Sequence, residues 1–195
     1  MGTLNLDKGQ KLNLDKVAPA LSVAMIGLGW EARTTDGQPF DLDVSAFMLN
    51  ASGKVRSDKD FIYYGNLKSI EGAVEHTGDN QTGDGDGDDE SIKVNLAMVP
   101  EDVQRVVFTV TIYKGSERRQ SFGQVKDAYA RLIDNVTGAE IARFDLTEDY
   151  STETAMQMVE LYRRDGTWRF GAIGQGYTGG LAAMATDFGL DVVGG

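Results

Sequence analysis

The sequence predicts a mostly β fold, an antiparallel β-sandwich with a short C-terminal helix. Short runs rich in β-branched and aromatic residues recur along the chain, and glycine-rich turns separate them, which is typical of all-β domains. The pair Asp165-Gly166 between two such runs favours a tight hairpin turn. With 195 residues and 41% hydrophobic content, the chain can bury a sizeable core, so we expect one domain over residues 1–195.

The predicted strands are apolar or alternating segments bounded by turn residues. They cover residues 21–28, 42–49, 61–64, 69–77, 91–96, 106–113, 128–133, 155–162 and 168–173. The clearest of them is 106–113, which is β-branched almost throughout. The segment 181–188, stopped by Gly189, predicts the C-terminal helix.

A weak internal repeat in the sequence is compatible with an internally duplicated sandwich. Residues 40–55 and 122–141 share a Phe, then an Ala-aromatic pair, then a glycine that closes a turn. An acidic stretch and a strand pair follow in each half, the stretches being 79–90 and 148–154. If the repeat is real, the two acidic stretches occupy equivalent places.

The acidic segment 78–90 is the most informative part of the chain. It carries six carboxylates, no basic residue and a glycine at almost every second position. Mutually repelling charges in a folded loop indicate a neutralising cation, and hard oxygen ligands favour Ca²⁺. A solvated disordered linker is the alternative, because the segment has nothing apolar to bury. The strand patterns on both sides favour a connection inside a domain.

A second pair of carboxylates precedes this segment in the chain. On an extended strand Asp41 and Asp43 point to one side, roughly 6.5 Å apart, with Phe40, Leu42 and Val44 on the other. The pair suits metal ligation, and an exposed polar strand face is the alternative. Because Ca²⁺ takes about six to eight oxygens, we expect this pair and the acidic segment to bind it jointly.

The acidic segment does not fit an EF-hand. If the loop began at Asp79, Asp84 would stand at the obligatory glycine position. If it began at Asp84, Asn95 would stand where the bidentate glutamate is required. Any calcium site here therefore belongs to another class.

Several other functions are disfavoured by composition. The net charge of −11 argues against nucleic acid as a partner, since phosphate contacts need a basic surface. There is no cysteine, only one histidine (His76) and no phosphate-binding loop, so we do not expect an enzyme. The N-terminus lacks the pattern of a signal peptide and the apolar runs are too short to span a membrane, so we expect a cytoplasmic protein without membrane insertion.

Several motifs resemble the TerD family of tellurite-resistance and stress proteins. They are Gly-Leu-Gly-Trp-Glu-Ala at 27–32, Phe-Asp-Leu-Asp at 40–43, the segment 76–90, the stretch 144–155, and Gly-Gln-Gly-Tyr at 174–177. The resemblance covers nearly the whole chain and keeps the motif order. It implies a calcium-binding β-sandwich encoded in bacterial clusters that confer resistance to tellurite. One departure is Glu31, where the family commonly has Asp.

The resemblance also implies a ligand set and partners. The side-chain ligands are Asp41, Asp43, Asp79, Asn80, Asp88 and Glu90, with carbonyls from Gly83 and Gly85. Two calcium ions are implied, and Glu148 and Glu153 are further candidates if the duplication holds. The partners expected are proteins of the same resistance cluster, including membrane-associated ones.

The sequence is therefore compatible with two functions. In the first, Ca²⁺ orders the acidic segment of a bacterial stress protein and shapes an interaction surface. In the second, the chain is an acidic β-sandwich that binds a small ligand or a protein partner, with no metal-dependent role.

Overall fold

The computed structural model describes residues 2–32, 40–78, 88–146 and 152–191. Within these ranges the strands are β1 (Leu4–Leu6), β2 (Lys11–Asn13), β3 (Val23–Ala32), β4 (Leu42–Leu49), β5 (Phe61–Ile62), β6 (Val74–His76), β7 (Glu90–Asn95), β8 (Arg105–Ile112), β9 (Val125–Asp134), β10 (Glu140–Asp145), β11 (Ala155–Arg164) and β12 (Thr167–Tyr177). The α-helices are α1 (Leu14–Val17), α2 (Gly115–Arg118) and α3 (Gly180–Asp187).

The strands form two six-stranded sheets that pack face to face. Sheet I has the order β1-β10-β9-β3-β7-β6, and sheet II has the order β2-β12-β11-β8-β4-β5. Neighbouring strands of the described chain pair antiparallel, apart from β1 with β10, which is parallel. The predicted antiparallel β-sandwich is thus confirmed, with one parallel pair at an edge of sheet I.

The core lies between the sheets, and a smaller apolar cluster lies outside sheet II. Leu42, Val44, Ala46 and Met48 of β4 point into the main core. The alternate residues Phe47 and Leu49 pack with Met184 and Phe188 at the C-terminal helix. Both faces of this half of β4 are buried, which is why the strand is apolar at almost every position.

The strand order is the one expected of a duplicated sandwich. Sheet II contains the run β5-β4-β8-β11 and sheet I the run β10-β9-β3-β7. The two runs match when β3 is exchanged with β8, β4 with β9, β5 with β10 and β7 with β11. The strands that follow the two acidic stretches, β7 and β11, therefore hold equivalent places.

Local turn chemistry agrees with the sequence in one place and departs from it in another. Asp165 and Gly166 both have positive φ, 53° and 72°, as the predicted tight hairpin requires. The predicted strand 69–77 is shortened to β6, because Gly72, with φ of 73°, forms a turn in which its N–H bonds to the Ser69 carbonyl. Helix α3 confirms the predicted C-terminal helix. In the ranges described, no helix is long and apolar enough to span a lipid bilayer.

Candidate metal centre

Four of the predicted ligands lie in the described part of the chain. Asp43 is in β4, Asp41 immediately precedes that strand, and both are partly exposed. Their neighbours Phe40, Leu42 and Val44 are buried in the main core, so alternation directs the two aspartates to the opposite, outer face of sheet II. The other predicted ligands lie outside the described residues: Asp79, Asn80, Gly83 and Gly85.

Glu90 connects the end of the acidic segment to β4. It begins β7 in sheet I, its side chain is only 1% exposed, and its Oε2 accepts a hydrogen bond of 2.8 Å from the Val44 N–H in sheet II. Strand β5 pairs with β4 at Ala46 and Phe47. At Val44 the Glu90 side chain, and not a neighbouring strand, accepts the backbone hydrogen bond. The contact fixes the end of the segment one residue from Asp43.

His76 completes this junction. Its Nδ1 accepts a hydrogen bond of 3.1 Å from the Gly78 N–H, which assigns the ring proton to Nε2. Nε2 lies 3.2 Å from the Val44 carbonyl oxygen and 3.4 Å from Oε2 of Glu90. His76, just before the acidic segment, and Glu90, its last residue, therefore satisfy the C=O and the N–H of Val44, a buried residue of the facing sheet.

Asp89 binds the backbone of β3. Its Oδ2 accepts a hydrogen bond of 2.9 Å from the Trp30 N–H, and its own N–H donates to the Leu28 carbonyl at 2.9 Å. The register between β3 and β9 shifts between Gly29 and Glu31, so Trp30 stands at an irregularity of the ladder. The Asp89 carboxylate supplies the acceptor for its N–H there.

Asp88 lies over the outer face of sheet I. Its Oδ1 accepts a hydrogen bond of 2.7 Å from Nε of Arg131, and Nη1 of the same guanidinium is 2.8 Å from Oε2 of Glu140. The hydrogen bond with Asp88 is the main cause that raises the pKa of Arg131. Burial, and then the negative charge of Asp88, raise the pKa of Tyr129 to about 12. The guanidinium of Arg143 covers the Tyr129 ring at 3.9 Å.

Two glycines of β3 make room for this cluster. A Cβ atom at Gly27 would overlap the Asp88 carboxylate, and one at Gly29 would overlap the Tyr129 ring. In the ladder Gly27 stands opposite Arg131 and Gly29 opposite Tyr129. In the Gly-Leu-Gly-Trp motif the two glycines thus place no side chain on the outer face of β3, while Leu28 and Trp30 are buried.

These contacts define what the described residues can offer a cation. Their carboxylate oxygens are of the type that Ca²⁺ prefers, but Oδ1 of Asp88 and Oε2 of Glu90 already accept hydrogen bonds from protein donors. Within the described ranges, no group of three or more acidic or histidine side chains is arranged to hold a metal ion. The predicted set of ligands therefore depends on residues 79–87 together with β4. Sequence reasoning missed Arg131 and Tyr129, and the alternating glycines were the only local sign of them.

The fold and the site together define an acidic β-sandwich whose carboxyl-rich segment is fixed at its end to both sheets. Residues 1–188 match the family model described as TerD domain. The chain belongs to this family, whose named members include tellurium-resistance and stress-response proteins.

The relatives match along nearly their full length. The tellurium resistance protein TerD of Alcaligenes sp is 56% identical over 189 residues, which are 97% of this chain and 98% of that protein. General stress protein 16U of Bacillus subtilis (strain 168) is 50% identical over 191 residues, 97% of this chain and 99% of that protein. A solved homologue of telluride resistance protein TerD from Streptomyces coelicolor A3(2) superposes with a TM-score of 0.71 at 20% identity, over 89% of this chain and 100% of the other. That last likeness bears on the fold alone.

Proposed function

We propose that this chain is a calcium-binding, non-enzymatic protein of tellurium resistance and stress response. In this proposal Ca²⁺ orders the acidic segment against β4, and the ordered segment shapes a surface for a protein partner. The observation that carries the proposal is the 2.8 Å hydrogen bond between Glu90 and Val44. It brings the end of the acidic segment to the strand that bears Asp43, as joint binding requires.

The cation would be held by carboxylates of β4 and of the acidic segment. Asp41 and Asp43 would contribute from the outer face of sheet II, and Asp79 and Asn80, with carbonyls of Gly83 and Gly85, from the segment. A bound Ca²⁺ supplies positive charge that offsets the repulsion among six carboxylates in a short stretch. The resemblance to the family supports two such ions.

The biological role rests on the relatives. One is named a tellurium resistance protein and another a general stress protein, and each matches almost the entire chain. Because the chain has no cysteine, it has no thiol to reduce or coordinate tellurite, which favours a regulatory or assembly role over a redox role. We propose bacterial proteins of the same resistance cluster, including membrane-associated ones, as partners, and the cytoplasm as the location.

Thermal unfolding in the presence of calcium tests this function. Calcium at about 1 mM should raise the melting temperature while magnesium at the same concentration should not, because Mg²⁺ dehydrates reluctantly and needs stricter geometry. The double variant Asp41→Asn/Asp43→Asn should lose most of the calcium response. Glu75→Gln is the matched control, since Glu75 is exposed on β6 and pairs only with Lys68 in the described structure. A wild-type protein that responds to neither ion would favour the alternative, a metal-independent acidic binding module.

A further inference from the structure

We infer that Arg131 is a positioning residue for the calcium site: it holds Asp88 on the outer face of sheet I, so that Asp88 anchors the acidic segment and is not a calcium ligand. This inference rests on the proposed function and assigns separate roles to carboxylates within it.

The Asp88–Arg131 pair has the geometry of a fixed anchor. Nε of Arg131 lies 2.7 Å from Oδ1 of Asp88, and the two side chains are 26% and 11% exposed. Arg131 is held in turn by Glu140 at 2.8 Å, and its guanidinium lies 6.0 Å from the Tyr129 ring centre. A guanidinium with two carboxylate partners loses little further freedom when it binds Asp88, so the pair is more persistent than an isolated surface salt bridge.

The backbone of β3 limits where the Asp88 carboxylate can lie. The Asp88 carboxylate packs so closely over Gly27 that no Cβ atom fits there. Gly27 stands directly opposite Arg131 in the ladder. The carboxylate is thus enclosed by the strand below it and the guanidinium beside it. To reach a cation elsewhere, it would have to leave both.

The three acidic residues at the end of the segment point in different directions. Asp88 binds Arg131 outside sheet I, Asp89 binds the Trp30 N–H in the plane of β3, and Glu90 crosses to Val44 in sheet II. Asp88 and Glu90 therefore lie on opposite faces of sheet I, and facing sheets pack about 10 Å apart. Ligands of one Ca²⁺ must converge within about 2.3–2.6 Å of it, so these two carboxylates do not share an ion. The anchored residues instead fix the end of the acidic segment against both sheets.

Calcium affinities of single and double variants distinguish an anchor from a ligand. If Asp88 is an anchor, Arg131→Gln and Asp88→Asn should each weaken calcium binding by about 10-fold to 100-fold, as loss of supporting partners does at metal sites. The double variant should bind no more weakly than either single variant, because both changes remove the same contact. Arg131→Lys, which keeps the charge, should restore part of the affinity.

The assignment of Asp88 as a calcium ligand predicts a change of calcium affinity in the opposite direction. If Asp88 were a ligand, Arg131 would compete for its oxygen, so Arg131→Gln would leave calcium affinity unchanged or raise it; that result would overturn the inference. Arg143→Gln is the control for net charge, because Arg143 lies on the same face and stacks on Tyr129 but pairs with Asp145. It should leave calcium affinity within about 2-fold of wild type.

A calcium-free measurement separates this inference from the proposed function. In chelator, urea unfolding should be measured for the wild type, Asp88→Asn, Arg131→Gln and the double variant. The two single losses of stability should not add up in the double variant. If the wild type binds no calcium, the proposed function fails, and the assignment of Arg131 to a calcium site fails with it. Additive losses in chelator would show that the anchor itself is absent, whatever the protein binds.

Discussion

The side chain of Glu90 in sheet I and the backbone of Val44 in sheet II are joined by a hydrogen bond of 2.8 Å across the core. Oε2 of Glu90 accepts from the Val44 N–H, while Nε2 of His76 faces the Val44 carbonyl at 3.2 Å. This junction joins His76, which precedes the acidic segment, and Glu90, which ends it, to the strand that carries Asp43.

Replacing Glu90 should destabilise the fold even without calcium. Glu90→Ala leaves the buried Val44 N–H without its acceptor, which should cost about 1–3 kcal/mol of unfolding free energy. Glu90→Gln keeps a carbonyl acceptor and should cost less. Urea unfolding in chelator measures both. Glu75→Ala, which removes an exposed ion pair on the neighbouring strand, is the control and should cost under about 0.5 kcal/mol; equal losses at the two positions would contradict the role of the junction.

A side chain at Gly27 should displace Asp88. Gly27→Ala introduces a Cβ where the Asp88 carboxylate lies, so we expect a loss of about 1–3 kcal/mol. In an Asp88→Ala background the same change should cost much less, since the overlapping carboxylate is gone. Chemical unfolding of the four proteins gives the coupling. A Gly27→Ala cost that is the same in both backgrounds would show that Asp88 does not occupy the space above Gly27.

Arg56 should be a main stabilising residue away from the candidate site. Its guanidinium binds Asp60 at 2.7 Å, Glu71 at 2.9 Å and Asp102 at 3.0 Å, and the Asp60 side chain is only 4% exposed. Arg56→Ala removes the cation beside that buried carboxylate and leaves it the backbone N–H of residue 56, at 2.8 Å, as a donor, which should cost about 3–5 kcal/mol.

Thermal and urea unfolding against Arg164→Ala test this. Arg164 makes an exposed contact of 3.7 Å with Asp165, and its removal should cost under about 0.5 kcal/mol. Similar losses for the two arginines would refute the special role of Arg56.

The turn between β9 and β10 should contribute stability that depends on pH. Asp134 accepts hydrogen bonds from the Val136 N–H at 2.9 Å and from the Thr137 hydroxyl at 2.8 Å, and the first of these is the main cause that lowers its pKa. A lowered pKa in the folded state means that the contribution is present above the unfolded value and is lost as pH falls through the folded value.

Asp134→Ala should therefore cost about 0.5 kcal/mol near pH 7 and less near pH 2.5, since the residue is partly exposed and its bonds are screened by solvent. Urea unfolding of wild type and variant at the two pH values measures the difference. A difference that stays constant with pH would mean that the charged form of Asp134 adds nothing.

Strand β4 shows what local sequence can predict. The predicted strand 42–49 coincides with the observed Leu42–Leu49, because most of its side chains are buried on both faces and give a strong apolar signal. Strands β1, β2 and β10 carry no such signal. The first two are three residues long and pair with distant partners, Leu4 with Ala142 and Leu12 with Phe170, so tertiary contacts decide their conformation.

The candidate site is predictable in its residue types and not in its partners. The carboxylates of the acidic segment and of β4 stand out by composition. The donors that bind them do not, since Arg131 is 43 residues from Asp88 and Val44 is 46 residues from Glu90. Only the folded sheets bring these groups together, so the hydrogen-bond partners of Asp88 and Glu90 require the structure.

Calorimetric titration with calcium tests most directly the claim that β4 and the acidic segment hold the cation together. Asp43→Asn should bind calcium at least about 10-fold more weakly than wild type, while Asp145→Asn, which changes an exposed aspartate of sheet I paired with Arg143, should bind as wild type does. Equal calcium affinity in wild type and Asp43→Asn would contradict the account.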